Sequence, residues 1–450
     1  MMEQYTSLLT LGNVRSNFSI SNPLMMSIQK WFLGILGFLL IPFIGEADTY
    51  RSLSALTVNV TGGIGRRPPN TDKISGLVFH AASYPTPLAG FTALSATNTA
   101  VHCYSLQDAL NVGISATDAT FKGLNYQVSE FFRMNPVGEL WVAVYPVGTY
   151  TFVELNAVQQ LAGGAIRQIG MWSPSRPYSN LAADYASLAT VSTTMTGNGY
   201  HCSIVFACDC SAQASWGTAT DLRAAALGNK LSFIIAQDGG GNGQALTTAL
   251  TYTVPMLGAF LGSVSKAPVN QSVGNPNLFN ISNGTECETV SVGGTSGGIP
   301  INTLTYATLG GLLDKGYIVA RKYTPRITGS YFERTPVSVL ATDTFAWMEV
   351  VRTIDKAKRI TETTMTPQLN AALPTTSTGT LRADIIGFFT DLLQGALNNM
   401  KSAGEVSDII ALIDPNQNVN STSTLVVTVK LIPTGTAQFI TINIGVVSSF

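Results

Sequence analysis

The sequence predicts an α/β fold with a doubly wound, mainly parallel sheet domain, followed by a C-terminal α+β domain with terminal β-strand arms. Between residues 71 and 265, short apolar segments alternate with longer segments of helical periodicity. That order is typical of a parallel sheet covered by helices on both faces. Beyond residue 303, long helical segments predominate. Near each end, residues 54–61 and 424–444 alternate between apolar and polar side chains, which is typical of strands with one apolar face.

The elements of the first domain follow from these periodicities. The strands are predicted at residues 76–80, 140–145, 166–172, 201–207 and 231–236. The helices are predicted at residues 122–133, 152–161, 181–193, 221–227 and 244–260.

The other boundaries follow from changes in composition. An N-terminal extension (1–53) precedes a strand arm with a Gly/Pro-rich linker (54–70), the α/β domain (71–265) and an irregular connection (266–302). The second domain (303–415) is predicted to hold helices at 304–315, 342–360 and 381–403 and a strand at 317–323. The last segment (416–450) is predicted to be a hairpin arm that pairs residues 424–431 with residues 438–444.

The composition favours a protein that associates with copies of itself. Only 11% of the 450 residues are charged, whereas about a quarter is usual in a soluble domain. Few surface charges give little protection against self-association. The net charge of −1 and the scattered Lys and Arg residues lack the basic footprint of a nucleic-acid-binding protein.

An uncharged apolar segment lies near the N-terminus, at residues 31–45. It is shorter than the roughly 20 residues of a membrane-spanning helix. With Lys30 before it and a small-x-small sequence ending at Ala47 after it, residues 26–47 have the pattern of a secretory signal. A cleaved export signal, a membrane anchor and a misassigned translation start all stay open.

The motifs that could carry enzyme chemistry are weak. Ser296 lies in a G-x-S-x-G sequence, but Pro300 follows where a helix is needed, and the histidines all lie upstream, at His80, His102 and His201. The glycines of residues 239–243 could cradle a phosphate, yet they match no nucleotide-binding fingerprint. Loops are the favoured interpretation of both motifs.

One group of residues has side chains that can bind zinc: His201, Cys202, Cys208 and Cys210. Their spacing does not form the two separated pairs of a structural zinc site, so buried free thiols are favoured. The sequence therefore predicts no catalytic, cofactor-binding or metal-binding residue, and no enzyme.

Several segments resemble contractile tail-sheath proteins of phages and phage-tail-like particles. The first is Leu-Leu-Asp-Lys-Gly-Tyr-Ile-Val-Ala-Arg-Lys-Tyr at residues 312–323, followed by residues 328–331. The second is residues 341–343, followed by the more specific Val-Arg-Thr-Ile-Asp-Lys-Ala-Lys-Arg at residues 351–359. Residues 62–69 and 75–79 look like the start of Mu-like sheath proteins. The likeness covers residues 56–447 and excludes residues 1–53.

The resemblance implies a structural subunit that polymerises into a helical tube around an inner tube and contracts to drive that tube through a membrane. The implied partners are the chain itself, an inner tail-tube protein, and baseplate and tail terminator proteins, without nucleic acid, small-molecule substrate or cofactor. The implied location is a virion tail or phage-tail-like particle assembled in the host cytoplasm, although the signal-like segment leaves export open.

The terminal strands suggest how subunits would join, because a strand with unpaired edges can be added to a neighbour's sheet. The candidate interface residues in the arms are Leu56, Val58, Val60, Leu425, Val427, Val429, Ile440, Ile442 and Ile444. The candidates in and before the charged helix are Asp343, Arg352, Asp355, Lys356 and Arg359. Two alternatives stay open: an exported self-assembling surface or fibre protein, and an α/β hydrolase-like enzyme with its site at Ser296 or at the Gly239 turn.

Overall fold

A mostly parallel seven-stranded sheet forms the centre of the computed structural model, which describes residues 72–148, 150–323 and 325–442. The strands of the described residues are β1 (Ser75–Ala81), β2 (Ala100–Cys103), β3 (Leu140–Pro146), β4 (Gln168–Pro177), β5 (Ser203–Asp209), β6 (Leu231–Ile234), β7 (Ala236–Asp238), β8 (Val290–Val292), β9 (Ile299–Pro300), β10 (Tyr317–Ile318), β11 (Ala320–Lys322), β12 (Ser330–Phe332), β13 (Val406–Ile413) and β14 (Val427–Pro433). The α-helices are α1 (Leu106–Asn111), α2 (Lys122–Met134), α3 (Glu154–Leu161), α4 (Leu181–Gly197), α5 (Asn242–Leu250), α6 (Leu257–Lys266), α7 (Tyr306–Asp314), α8 (Met348–Met365), α9 (Ala383–Ser402) and α10 (Val419–Thr422).

The strand order in the large sheet is β10-β6-β5-β4-β1-β3-β2. All neighbouring pairs are parallel except β2 with β3, which places an antiparallel strand at one edge. Both faces of the sheet are buried: Leu77 and Phe79 of β1 join one apolar cluster, and Val78 between them joins another. The predicted α/β class and four of the predicted strands are confirmed, while the fifth, residues 231–236, is divided between β6 of this sheet and β7 of a smaller one.

Two predicted helices differ in the structure. Residues 221–227 form turns, because the Asp221 carboxylate accepts the backbone N–H groups of Arg223 (2.9 Å) and Ala224 (3.0 Å) and so competes with helical hydrogen bonds. Residues 244–260 form parts of two helices, α5 and α6. The break between them contains Thr251, whose φ is +60°, and Pro255, which cannot donate a helical hydrogen bond.

The predicted strand at 317–323 is also divided between two sheets. Its first part, β10, pairs with β6 and completes the large sheet, so residues assigned by sequence to the second domain belong to the sheet of the first. Its second part, β11, pairs with β12 in a separate two-stranded sheet. A further small antiparallel sheet pairs β7, from the predicted α/β domain, with β8 and β9 of the predicted irregular connection.

The C-terminal lobe, which we define as the second half of α8 with α9, β13 and β14, has its own small apolar core. The core residues include Ala357 of α8, Leu393 and Leu397 of α9, and Ile409 of β13. The predicted third helix, residues 381–403, is confirmed as α9.

The structure corrects the predicted terminal hairpin. The strand predicted at 424–431 pairs antiparallel with β13, which the sequence analysis did not identify, and not with residues 438–442. Residues 438–442 form no strand, and residues 443 and 444 lie outside the described part of the chain. Among the residues that are described, no helix combines the length and the hydropathy needed to cross a bilayer.

Candidate subunit interface

Helix α8 carries the charged motif and connects the two apolar cores. Met348 and Val351 in its first half pack into the apolar cluster on one face of the large sheet, the cluster that contains Leu77 and Phe79. Ala357 and Ile360, further along, pack into the C-terminal lobe. The helix begins at Met348 rather than at the predicted residue 342.

Arg352 is buried where α8 crosses the end of α6. Its Nη2 donates hydrogen bonds to the carbonyl oxygens of Val264 (3.1 Å) and Ala267 (3.2 Å), which lie at the C-terminus of α6, where carbonyls lack helical partners. Burial lowers the pKa of Arg352 to about 10, so the side chain is still protonated at neutral pH. The Arg352 side chain thus caps the C-terminus of α6 from within the same chain.

Asp355 is also buried and forms an ion pair with Lys230, with 3.1 Å between Nζ and Oδ1. Lys230 immediately precedes β6, so this pair attaches α8 to the large sheet. Both side chains are less than a tenth exposed. A charge at this depth is stabilised by its partner, because an unpaired buried charge would be costly.

Lys356 and Arg359 share one carboxylate, that of Asp72. Lys356 Nζ lies 2.6 Å from Asp72 Oδ2, and Arg359 Nη2 lies 2.7 Å from Asp72 Oδ1. Lys356 also contacts Glu405, at 2.7 Å, just before β13. This charged cluster (Asp72, Lys356, Arg359 and Glu405) therefore joins the segment before β1, helix α8 and the C-terminal lobe.

Asp343 lies apart from that cluster. It is exposed in the turn before α8, where its carboxylate accepts the backbone N–H of Phe345 (2.7 Å). Of the five charged candidates, Arg352, Asp355, Lys356 and Arg359 thus make contacts within one chain, and Asp343 is at the surface. Their contact with another subunit stays a prediction.

The arm candidates divide into three groups. Leu425, Val427 and Val429 are half-buried against the C-terminal lobe, whereas Ile440 and Ile442 are 79% and 76% exposed. The remaining arm candidates lie outside the described residues; they are Leu56, Val58, Val60 and Ile444.

The β13–β14 sheet presents an apolar face to solvent that the sequence analysis missed. Val406, Ile409 and Ala411 face the core of the lobe. On the other face Ile410 is 47% exposed, Leu412 40% and Ile432 60%. The sequence of β13 does not alternate between apolar and polar residues, because Ile410 and Leu412 are apolar on the exposed face, so it carried no clear signal of this face.

Among the described residues, no strand pairs with the outer edge of β14, the side facing away from β13. In an antiparallel pair, residues alternate between bonding their partner and pointing their backbone groups away from it. The register pairs Ile410 with Lys430 and Leu412 with Thr428. Within the described residues, the backbone groups of Val427, Val429 and Leu431 have no hydrogen-bond partner.

The enzyme alternative at Ser296 finds no support in the surrounding residues. Ser296 lies in a 3₁₀ turn, Thr295–Gly297, and not between a strand and a helix. The three histidines are paired with other residues, His80 with Ser173 and Glu154, His102 with Glu139, and His201 with Glu362.

The Gly239 turn is likewise occupied by the chain's own groups. Asp238 Oδ1 accepts the N–H groups of Gly240 (3.1 Å) and Gly241 (3.0 Å). Glu286 Oε2 accepts that of Asn242 (3.0 Å). Two carboxylates thus fill the positions that a bound phosphate would take.

His80, Ser173 and Glu154 form a constellation that sequence reasoning did not find. His80 Nδ1 lies 2.8 Å from Ser173 Oγ, and His80 Nε2 lies 2.7 Å from Glu154 Oε1. These distances suit a nucleophile, base and orienting acid. Ser173 is fully buried, however, and the rings of Tyr150 and Phe152 pack on His80. The three side chains therefore connect the ends of β1 and β4 to the start of α3, and the buried Ser173 hydroxyl is not accessible as a nucleophile.

The cysteines considered as zinc ligands, Cys202, Cys208 and Cys210, are buried free thiols, as the sequence analysis favoured. Burial raises the pKa of Cys202 to about 12 and that of Cys208 well above its usual value. Among the described residues, no three His, Cys, Asp or Glu side chains come together in a group that could hold a metal ion.

The chain is similar over most of its length to proteins of known structure. It matches a chain of the anti-feeding prophage (AFP) helical sheath in its contracted state with 14% identity and a TM-score of 0.55, covering 87% of this chain and 99% of that chain. It matches a chain of the AFP baseplate with 12% identity and a TM-score of 0.56, at the same coverage. A chain of the PVC sheath complex, from an extracellular contractile injection system, matches with 12% identity and a TM-score of 0.51, covering 87% and 98%.

Sequence comparison adds one family. Residues 344–450 match the model described as "DUF2586, C-terminal domain". No curated protein sequence matches the chain significantly. The chain therefore has the fold of contractile injection system sheath proteins, which confirms the resemblance that the sequence suggested.

Proposed function

We propose that this chain is a structural subunit of a contractile sheath, which polymerises around an inner tube and contracts to drive that tube through a membrane. One observation carries the proposal. The fold corresponds to 97–99% of the length of four sheath or baseplate chains, so the likeness extends over the whole subunit and is not confined to one shared domain. A subunit of this kind works by mechanical contact, and the occupied Gly239 turn and buried Ser173 agree with a structural role.

Two features of the C-terminal lobe support polymerisation by strand addition. Considering only the part of the chain that the structure describes, three residues on the outer edge of β14 have unpaired backbone groups, and such an edge can accept a strand from another chain. Phe439, Ile440 and Ile442 lie exposed beyond β14, and Phe439 is 81% exposed. Covering apolar side chains that are this exposed stabilises the complex by about 25 cal/mol for each Å² of apolar surface removed from water.

The proposed partners follow from this role. A strand given by one subunit and accepted by the next makes a head-to-tail contact, which produces a helical tube when it does not close into a ring. The tube would enclose an inner tail-tube protein and end at baseplate and tail terminator proteins, in a particle assembled in the host cytoplasm. In this proposal the doubly wound domain is a rigid body, and the terminal arms hold the rigid bodies together.

The charged candidates of α8 have a second proposed role in the assembly. Because Lys356 and Arg359 hold Asp72 directly after the N-terminal arm, force on that arm would reach both the large sheet and the C-terminal lobe through α8. Asp343, exposed before α8, is the charged candidate best placed for a direct contact with another subunit or the inner tube.

The test is negative-stain electron microscopy of the full chain and, in parallel, of the chain begun at Asp48. We expect hollow, striated tubes of uniform width. A chain that ends at Gly435 keeps β14 and should stay folded by circular dichroism but form no tubes. The double variant Ile440→Asp/Ile442→Asp should fail in the same way, whereas the matched Ile440→Val/Ile442→Val variant, which keeps strand propensity, should assemble.

Other outcomes would favour the alternatives. A monodisperse monomer at high concentration would contradict the sheath proposal. Solid filaments without a lumen would favour a surface or fibre protein, and turnover of an ester substrate that is lost in Ser296→Ala would favour a hydrolase.

A further inference from the structure

On the outer edge of β13, the side facing away from β14, Asp408 Oδ1 accepts the N–H of Ile409 (3.0 Å), and one side chain from α9 bonds two further backbone groups. Gln394 of α9 donates a hydrogen bond from Nε2 to the carbonyl oxygen of Ile409 (2.9 Å). Its Oε1 accepts the backbone N–H of Ala411 (3.0 Å). The Ile409 carbonyl and the Ala411 N–H flank Ile410. A single residue of a parallel neighbouring strand would bond the same two groups. The carboxamide therefore occupies the position of an added strand.

Gln394 is held in this position by its surroundings. The neighbouring Leu393 is fully buried in the core of the lobe, as is Leu397 one turn further along α9. The second proton of the Gln394 amide is directed at Asn398 Oδ1, 2.8 Å away. Both polar atoms of the carboxamide are thus bonded, which fixes its orientation.

The two edges of the β13–β14 sheet therefore differ. A strand added at β13 must first displace two hydrogen bonds that Gln394 makes. A strand added at β14 meets the free backbone groups of Val427, Val429 and Leu431 and displaces nothing among the described residues. Since an unmade backbone hydrogen bond is costly once water is excluded, the difference biases which edge is extended.

We propose that Gln394 is a specificity-determining residue that closes the β13 edge and directs an incoming strand to β14. The strand is supplied by residues 438–444 of a second copy of this chain, whose Ile440 and Ile442 are exposed and alternate with polar residues. This inference rests on the proposed sheath function and adds the side of the sheet on which subunits join. Single-sided addition fixes one arrangement of neighbouring subunits, whereas two open edges would allow branching.

The test uses a synthetic peptide of residues 436–450 with a photo-cross-linking benzophenone at position 440. The peptide is added to the full chain at a concentration where the chain is monomeric, and mass spectrometry maps the cross-links. In the wild type we expect cross-links within β14 and none above background within β13. In Gln394→Ala, cross-links within β13 should rise by about tenfold or more, because two hydrogen bonds no longer protect that edge.

Gln417→Ala is the matched control. The Gln417 carboxamide also bonds the backbone, donating to Asp414 O (3.0 Å) and Val426 O (3.2 Å) and accepting from Val426 N (2.8 Å), but it lies in the connection between β13 and β14 and not on an outer edge. Its loss should leave the cross-link pattern unchanged. Amide hydrogen exchange in β1 verifies that each variant is folded, and that of Ala411 should accelerate only in Gln394→Ala.

The outcomes separate this inference from the proposed function. Cross-links confined to β14 in Gln394→Ala, or present in β13 of the wild type, would overturn the role of Gln394 even if the chain forms tubes. A peptide that cross-links to neither strand would overturn residues 438–444 as the occupant. Cross-links in β14 from a chain that forms no tubes would contradict the sheath and leave the edge selection standing.

Discussion

The charged residues of α8 illustrate what sequence can reveal about a single side chain. The motif at residues 351–359 identified the helix and the resemblance, but a helix face of Lys, Arg and Asp is also what solvent exposure produces. Its partners Asp72, Lys230 and Glu405 lie tens to hundreds of residues away along the chain. No local pattern connects such residues, so their intrachain pairing became visible only in the fold.

The shared carboxylate of Asp72 gives the first prediction. Asp72→Asn removes the anion between Lys356 and Arg359, and we expect the free energy of unfolding to fall by about 1.5–3 kcal/mol, as for hydrogen bonds to charged groups. Urea denaturation measures the change. The control is Asp384→Asn, which breaks an ion pair whose side chains are both more than half exposed and should cost less than about 1 kcal/mol. Equal losses in the two variants would contradict a structural role for Asp72.

The second prediction concerns pH. Burial alone would raise the pKa of Asp72, but hydrogen bonds from Lys356 and Arg359 and their positive charges outweigh it, and the pKa in the folded chain is lowered. A lowered folded pKa stabilises the chain above the unfolded value of about 3.9, and this contribution is lost as the pH falls through the folded value.

The difference in unfolding free energy between the wild type and Asp72→Asn should therefore be constant above about pH 5 and narrow below about pH 4. Urea denaturation of both chains across this range measures it. A difference that widens on acidification would mean that Asp72 is not held as an anion.

At the scale of elements, periodicity predicted the buried strands well and the C-terminal sheet poorly. Strands β1, β3, β4 and β5 are short apolar segments buried on both faces, so their composition alone is distinctive. Strand β13 was missed because its register shifts between Val406 and Asp408, and because Ile410 and Leu412 are apolar on the exposed face. Its alternation is therefore hidden in the sequence.

The same limit explains the misassigned hairpin. Residues 424–431 alternate clearly, and that pattern correctly predicted a strand with one apolar face. Alternation does not identify a partner, however, and the nearest strand-like segment in sequence was residues 438–444. The true partner, β13, lies on the other side of α10.

The third prediction concerns the crossing of α2 and α6. A Cβ added at Gly258 of α6 would lie 2.0 Å from the backbone oxygen of Gln127 in α2, so the helices could not keep their separation. Gly258→Ala should destabilise the chain by about 1–3 kcal/mol, as overpacking does. Gly395→Ala is the matched control, because nothing lies within 4 Å of that position in α9.

There the lost glycine should stabilise the helix by up to about 1 kcal/mol. Thermal unfolding followed by circular dichroism gives both values, and the two shifts should have opposite sign. A neutral Gly258→Ala would mean that α2 and α6 can separate without loss of packing.

At the scale of the whole molecule, helix α8 joins the apolar clusters of the large sheet to those of the C-terminal lobe. The large sheet has apolar clusters on both faces, whereas the C-terminal lobe relies on two small ones. Between them, polar contacts are prominent: Arg352 caps α6, Asp355 pairs with Lys230, and Lys356 bridges Asp72 and Glu405. The lobe that would accept a strand is thus joined to the large sheet through α8 and through the ion pairs of Asp72, Lys356, Arg359 and Glu405.

The last prediction tests that attachment. Lys356→Met keeps an apolar stem in place but removes the charge that joins Asp72 to Glu405, and Glu405 is itself buried before β13. We expect amide hydrogen exchange in β13 and α9 to accelerate by about tenfold, the equivalent of about 1.4 kcal/mol of local stability. Exchange in β1 and β4 should stay unchanged, because their packing lies in other clusters.

The control for this variant is Lys401→Met in the same lobe, which breaks the exposed ion pair with Asp408 and should change little, since exposed pairs contribute little. If exchange in Lys356→Met were faster in β1 and β4 as well as in β13 and α9, the chain would unfold as one cooperative unit. That result would contradict a local role of Lys356 in holding the lobe. Faster exchange in the lobe alone would mean that one lysine controls how firmly the strand-accepting sheet is held to the body of the subunit. In a sheath, that lysine would then lie on the path through which neighbouring subunits pull on each other.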